Sequence, residues 1–295
     1  MQPVSAMRWL SKCALCAAAV LIACAVATTW FGNGLQLPAT TSRDGALITL
    51  NRYVREPVPD VVLVGSSLSF RLKEEYFATP RLRNLALAGG SPVTGLEIIA
   101  NAPRLPRIIL VETNVLSRPP DTTLIERYAR RADGDPLFFR PIRTAVAAYE
   151  NWLHAPLTHE QVSLALGRLL RQPPGSFDNH IYVERALQQM NADDPTAAVR
   201  MNITRIKELI AALEPRGARL LLLEVPYSEP IERSRAASIS RELVHAEFPD
   251  RNRWLPIDPP RSELRWADGV HLDERSAVIV TQSIERALAE LSAAP

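Results

Sequence analysis

Residues 61–64 read Val-Val-Leu-Val and run straight into Gly65-Ser66-Ser67, and no other feature of the chain limits its fold so strongly. A strand with one wet face alternates apolar and polar residues, whereas a strand buried on both faces is apolar throughout, as in the middle of a parallel sheet. Comparable runs occupy residues 82–86, 107–111 and 220–225, with a shorter one at 254–257. After residues 82–86, Ser91 and Pro92 suit the cap and first position of a helix reaching Asn101, with Leu96, Ile99 and Ala100 on its inner face. Strand-then-helix units repeated in this way predict an α/β fold: a three-layer α/β/α, doubly wound parallel sheet with right-handed crossovers.

The alternation breaks off and later resumes. From 117 to 195 the sequence changes character, with Pro pairs at 119 and 173, the aromatics Phe138, Phe139, Tyr149 and Trp152, and a helical patch at 161–170. We read this stretch as a helical insertion, either a cover for a sheet edge or a wall of the substrate site. Beyond it, Val199, Ile203, Ile206, Ile210 and Leu213 recur at helical spacing, and Gly217 stops that helix before the strand at 220–225. A helix over 231–248, the strand at 254–257, a loop at 261–272 and a last helix from 273 to about 291 complete a domain spanning 57–295.

The N-terminus is of another kind. Residues 13–31 are apolar or small and uncharged, Arg8 and Lys12 precede them, and no further basic residue occurs before Arg43. Such a stretch is nearly long enough to span ~30 Å of hydrocarbon, and the bias of basic residues puts the rest of the chain outside the cytoplasm. Two forms of attachment fit residues 1–31: an uncleaved single-pass anchor in a bacterial inner membrane, or a signal peptide whose Leu21-Ile22-Ala23-Cys24 resembles a lipoprotein cleavage box, with Cys24 acylated. Residues 32–56, mixed in Gly, Pro, Thr and charge, are expected to link membrane and domain.

Composition removes several function classes. A net charge of +2 with acids and bases interspersed gives no reason to expect a nucleic-acid partner. All three cysteines, Cys13, Cys16 and Cys24, lie in the N-terminal segment, so the domain has neither a disulfide framework nor a thiolate metal site. Its five histidines form no close ligand pair of the H-E-x-x-H kind, and no metal or other cofactor is expected.

Functional groups of a parallel sheet gather where its strands end. Ser67 follows the first strand behind a small Gly65. Gly89 follows the second, in Asn84-Leu85-Ala86-Leu87-Ala88-Gly89-Gly90, and would present a bare backbone N–H. Asn114 follows the third, in Glu112-Thr113-Asn114, and its amide is a second candidate donor to a tetrahedral oxyanion. Loss of one such donor typically costs about 3 kcal/mol of transition-state stabilisation. Near the C-terminus, Trp266-Ala267-Asp268-Gly269-Val270-His271 sets an acid three residues before an imidazole. Asp268 can there fix the His271 tautomer while the far ring nitrogen faces the Ser67 hydroxyl. Singly these residues suit caps and turns; jointly they supply every part of one acyl-transfer site.

In this order the blocks resemble the Ser-Gly-Asn-His hydrolase superfamily, also called the G-D-S-L family, over residues 60 to 290. Gly65-Ser66-Ser67 is similar to its nucleophile block with Ser66 in place of the usual Asp, as in the teichoic-acid D-alanylation protein. Asn84 to Gly89 matches the second block, Glu112-Thr113-Asn114 the third with Glu112 in place of Gly, and Asp268-Gly-Val-His271 the last. The resemblance implies a flavodoxin-like sheet, Ser67, Asp268 and His271 as catalytic residues, and Gly89 and Asn114 as oxyanion donors. It further implies a cell-envelope esterase, deacetylase or O-acyltransferase acting through an acyl-enzyme, acetyl being the expected acyl group. Its substrate would be an ester or a glycan, such as a secreted polysaccharide, and a membrane protein would be a candidate acyl donor. The alternative is a catalytically weak scaffold of a polysaccharide-secretion complex, for which Ser66 and Glu112 are the supporting departures. The G-x-S-x-G elbow is discounted, because its serine normally follows several strands rather than the first.

Overall fold

The structure, a computed structural model, describes residues 3–31, 42–129, 158–192 and 194–293. The chain divides into two compact units, Met1–Glu56 with Arg131–Leu157, and Pro57–Arg130 with Thr158–Pro295.

In the first unit, helix α1 covers Pro3–Phe31. Its segment Ala6–Cys24 has a mean hydropathy of 1.6 and buries none of its surface, so this helix is long and apolar enough to cross a membrane. A second helix, α2 (Ser42–Arg55), lies in the stretch expected to be a linker, where the sequence reading has no helix. Ala46, Leu50 and Tyr53 recur at helical spacing and are buried, a short period that the surrounding Gly45, Asn51 and charged residues obscure. Residues 32–41 lie outside the described residues, as do Phe138, Phe139, Tyr149 and Trp152 of the insertion.

The second unit is α/β, built on a four-stranded, wholly parallel sheet in the order β2-β1-β3-β4. The strands are β1 (Val61–Val64), β2 (Leu82–Asn84), β3 (Ile108–Glu112) and β4 (Arg219–Leu223). Val61 pairs with Leu82 on one side and Ile108 on the other, and Glu112 pairs with Leu223. β2 ends two residues before the apolar run does, because Asn84 turns its side chain back onto the chain that follows β1. The run at 254–257 forms a single bridge, Leu222 to Trp254, with Leu255 N–H donating to Leu222 O at 2.8 Å, rather than a fifth strand.

Strand alternation sends Val61, Leu63, Leu110, Leu221 and Leu223 to one face, where they meet Ala277, Val280 and Ile284 of the last helix, Glu274–Ala293. Val64 points the other way, against helix α4 (Pro92–Ala100). There Gly95 is required, since a Cβ would sit 2.9 Å from Val64 Cγ1. With both faces covered, the interiors of β1, β3 and β4 have no place for a polar side chain, and only the exposed Arg219 that opens β4 and Glu112 that ends β3 are polar.

Between the strands, the turn α3 (Ser67–Phe70) follows β1, and α5 (Thr122–Ala129) follows β3. Helices α6 (His159–Arg171), α7 (His180–Ala192) and α8 (Thr196–Leu213) precede β4. After β4 come α9 (Glu229–Glu232), α10 (Arg235–Glu247) and α11 (Glu274–Ala293). The helix expected over 231–248 is thus two helices, broken where the Ser234 hydroxyl caps α10 by accepting from Ala237 N–H. The start of α11 is fixed by Glu274, which accepts from Lys73 Nζ at 2.9 Å and the Tyr76 hydroxyl at 2.8 Å.

Candidate active site

The strand order reverses direction at β1, and the C-terminal ends of β1 and β3 therefore flank the switch point at which α/β sheets bind ligands. Ser67 opens α3 at the end of β1, preceded by Ser66 as its cap. The Ser66 hydroxyl accepts from Leu68 N–H at 3.2 Å. From its other end the turn is held by Asn84, whose Nδ2 donates to Ser69 O at 2.8 Å and Leu72 O at 2.7 Å. The first residue of the second sequence block thus serves the turn that bears Ser67. Sequence gave no hint of this, because an Asn before a loop looks like an ordinary turn former.

His271 reaches Ser67 across the sheet end, with Nε2 2.8 Å from the hydroxyl oxygen. Its Nδ1 lies 2.7 Å from Asp268 Oδ2, while Asp268 Oδ1 accepts from the backbone N–H groups of His271 at 2.7 Å and Val270 at 3.0 Å. Burial pushes the Asp268 carboxyl up, but its bonds to the His271 backbone and ring and to Val270 N–H outweigh this, holding it below the usual carboxylate range. A neutral imidazole that donates from Nδ1 to Asp268 would present a bare Nε2 to the Ser67 hydroxyl.

The loop that carries this pair is a miniature hairpin, with Ala267 N–H bonded to His271 O at 3.0 Å and Asp273 N–H to Arg265 O at 3.0 Å. Two side chains grip it from outside, and one of its own reaches out. Asn179 Nδ2 donates to Trp266 O at 2.7 Å, Trp266 Nε1 to Pro226 O at 3.1 Å, and the Ser228 hydroxyl to Gly269 O. Gly269 has φ +83°, and a Cβ there would fall 2.2 Å from Val183 Cγ2. Asn179, just before α7, and Val183, within it, belong to the insertion of the sequence reading, so part of that stretch supports the acid and base. A cavity of about 590 Å³ adjoins the loop, lined by Phe177, Asn179, Val183, Glu229, Trp266 and Gly269 among others.

Gly89 has φ +80°, in the left-handed region that favours glycine, and open space where a side chain would be. Leu87 N–H donates to Gly65 O at 2.9 Å, which fastens the Gly89 loop beside the turn that carries Ser67. Asn114 is committed in part: its Oδ1 accepts from Val225 N–H at 2.8 Å and its Nδ2 donates to Val225 O at 2.9 Å, extending the β3 to β4 pairing by one step. One hydrogen of that amide is left over. No group of His, Cys, Asp and Glu among the described residues could hold a metal ion.

Glu112, the residue that departs from the third block, does not disturb the backbone. It is fully buried and bonded to Ser66, with Oε1 2.6 Å from the Ser66 hydroxyl. Burial, and then the Glu112 charge, push the Tyr227 hydroxyl beyond the ordinary tyrosine range, so the phenol stays neutral. No protein-family model matches the chain, and no curated protein matches its sequence.

Proposed function

We propose that the chain is a serine esterase, deacetylase or O-acyltransferase of the Ser-Gly-Asn-His type, anchored by α1 and acting on an ester or glycan outside the cytoplasm. The observation that carries the proposal is the relay from Ser67 Oγ to His271 Nε2 at 2.8 Å and from His271 Nδ1 to Asp268 at 2.7 Å. The strand order, the helices on both sheet faces, the three blocks at strand ends and the fourth in the loop before α11 are what supports the flavodoxin-like fold of that superfamily.

Ser67 Oγ attacks the ester carbonyl carbon as its proton passes to His271 Nε2. The carbonyl oxygen, now an oxyanion, accepts from Gly89 N–H, from the spare hydrogen of Asn114 Nδ2 and from the Ser67 N–H at the start of α3. Collapse breaks the bond to the leaving alkoxide, which takes the proton from Nε2 and leaves an acyl-Ser67. A second hydroxyl, of water or of a sugar, gives its proton to Nε2 as it attacks the acyl carbon; collapse breaks the bond to Ser67 Oγ, which takes that proton back and frees the acid or the new ester. The choice of acceptor separates hydrolysis from transfer. The scaffold alternative takes its support from Ser66 and Glu112; these two bond one another, and Ser67 still faces His271.

Detergent-solubilised full-length protein should react with a fluorophosphonate probe and release acetate from a small acetyl ester. Ser67→Ala and His271→Ala should lose both activities while keeping the wild-type circular dichroism. A folded wild type that does neither would remove the serine mechanism and leave the scaffold.

A further inference from the structure

We propose that Glu112 is a positioning residue for Ser67, an inference that rests on the serine mechanism above. A buried carboxylate persists only where hydrogen bonds replace its lost hydration. Among the described residues, the Glu112 carboxylate draws its bonds from one short stretch: Ser66 N–H at 2.9 Å, the Ser66 hydroxyl at 2.6 Å and Ser69 N–H at 3.1 Å. These donors lie on either side of Ser67 and spare Ser67 itself. The acid thus takes up the neighbouring N–H groups and leaves the Ser67 N–H for an oxyanion, with the hydroxyl aimed at His271.

Gly65 belongs to the same device. A Cβ at Gly65 would stand 2.7 Å from Glu112 Oε2 and 2.6 Å from the Ser69 side chain, so the glycine is what lets the carboxylate reach the turn. An Asp at a helix cap can accept from the second and third N–H groups of the helix by itself. In this chain the task is divided, with the Ser66 hydroxyl serving Leu68 N–H and Glu112, from the adjacent strand, serving Ser69 N–H. The two positions that depart from the Ser-Gly-Asn-His pattern, Ser66 and Glu112, are therefore each other's partners. The carboxylate has moved from the turn to the strand beside it.

Full-length protein carrying Glu112→Ala, Glu112→Gln, Glu112→Gly, Ser66→Asp or Ser66→Asp with Glu112→Gly tests the proposal. The readouts are kcat and KM on the acetyl ester, phosphonate labelling rate, thermal midpoint and amide exchange over residues 66–70. Glu112→Ala should lower kcat and labelling about 100-fold, the scale of a misplaced reacting group, with KM little changed. Glu112→Gln should regain most of this, because its oxygen can accept both backbone N–H groups while its NH2 donates to Ser66. Ser66→Asp sets two carboxylates together and should be impaired, as should Glu112→Gly, yet the double variant should exceed both.

Wild-type kcat in a folded Glu112→Ala protein, or losses that merely add in the double variant, would overturn the proposal. If wild type neither labels nor turns over, the serine mechanism fails separately and exchange decides the positioning. Faster exchange at Ser66 and Ser69 in Glu112→Ala, with Ser69 protection restored in the double variant, supports it. Unchanged protection refutes it.

Discussion

At the residue scale, the acid and base of the site depend on one carboxylate with three local bonds. Asp268 accepts two backbone N–H groups as well as the His271 ring, so it shapes the loop and orients the imidazole at once. Asp268→Asn should therefore reduce turnover by about 10²- to 10⁴-fold, since the amide can present N–H to Nδ1 and favour the wrong tautomer. The depressed carboxyl pKa also gives a pH signature. The folded state holds the Asp268 proton more weakly than the unfolded chain does, so the stabilisation is full above the ordinary value of 3.8 and is lost as pH falls through the lower folded value. Thermal midpoints measured from pH 6 down to pH 3 should fall more steeply for wild type than for Asp268→Asn; parallel curves would refute the linkage.

At the scale of elements, the acid–base loop is held by an insertion whose purpose the sequence left open. Gly269→Ala would force a side chain into Val183 and a left-handed backbone onto an L residue. That change should cost about 1–3 kcal/mol of stability and uncouple His271 from Ser67. Urea titration and ester turnover would show both losses, and an unchanged midpoint would mean that the loop is held elsewhere. Ser67, Asp268 and His271 were legible in the sequence because each announces itself locally, by a strand end or by an acid three residues from a base. The supports were not legible. Asn84, Asn179, Ser228 and Glu112 act through partners 12 to 87 positions away, as in the 46-residue separation from Glu112 to Ser66, and no local period encodes these. Helix α2 was missed for the opposite reason: its apolar period covers only two turns.

For the whole molecule, the first unit carries an apolar helix long enough to cross a membrane, and the second is α/β. Full-length protein should sediment with membranes and resist carbonate extraction, and deletion of residues 1–31 should release it with ester turnover per molecule unchanged. Carbonate-extractable full-length protein would sink the spanning anchor. Radiolabelled palmitate incorporation that Cys24→Ser abolishes would instead identify the lipoprotein form. The bond between Ser67 and His271 closes a separation of 204 residues, whereas acid and base meet within four positions of chain. On the proposed serine mechanism, residue 271 must therefore have left the ribosome before the Ser67 hydroxyl can find its base, and a product cut short ahead of that point would carry an inert serine.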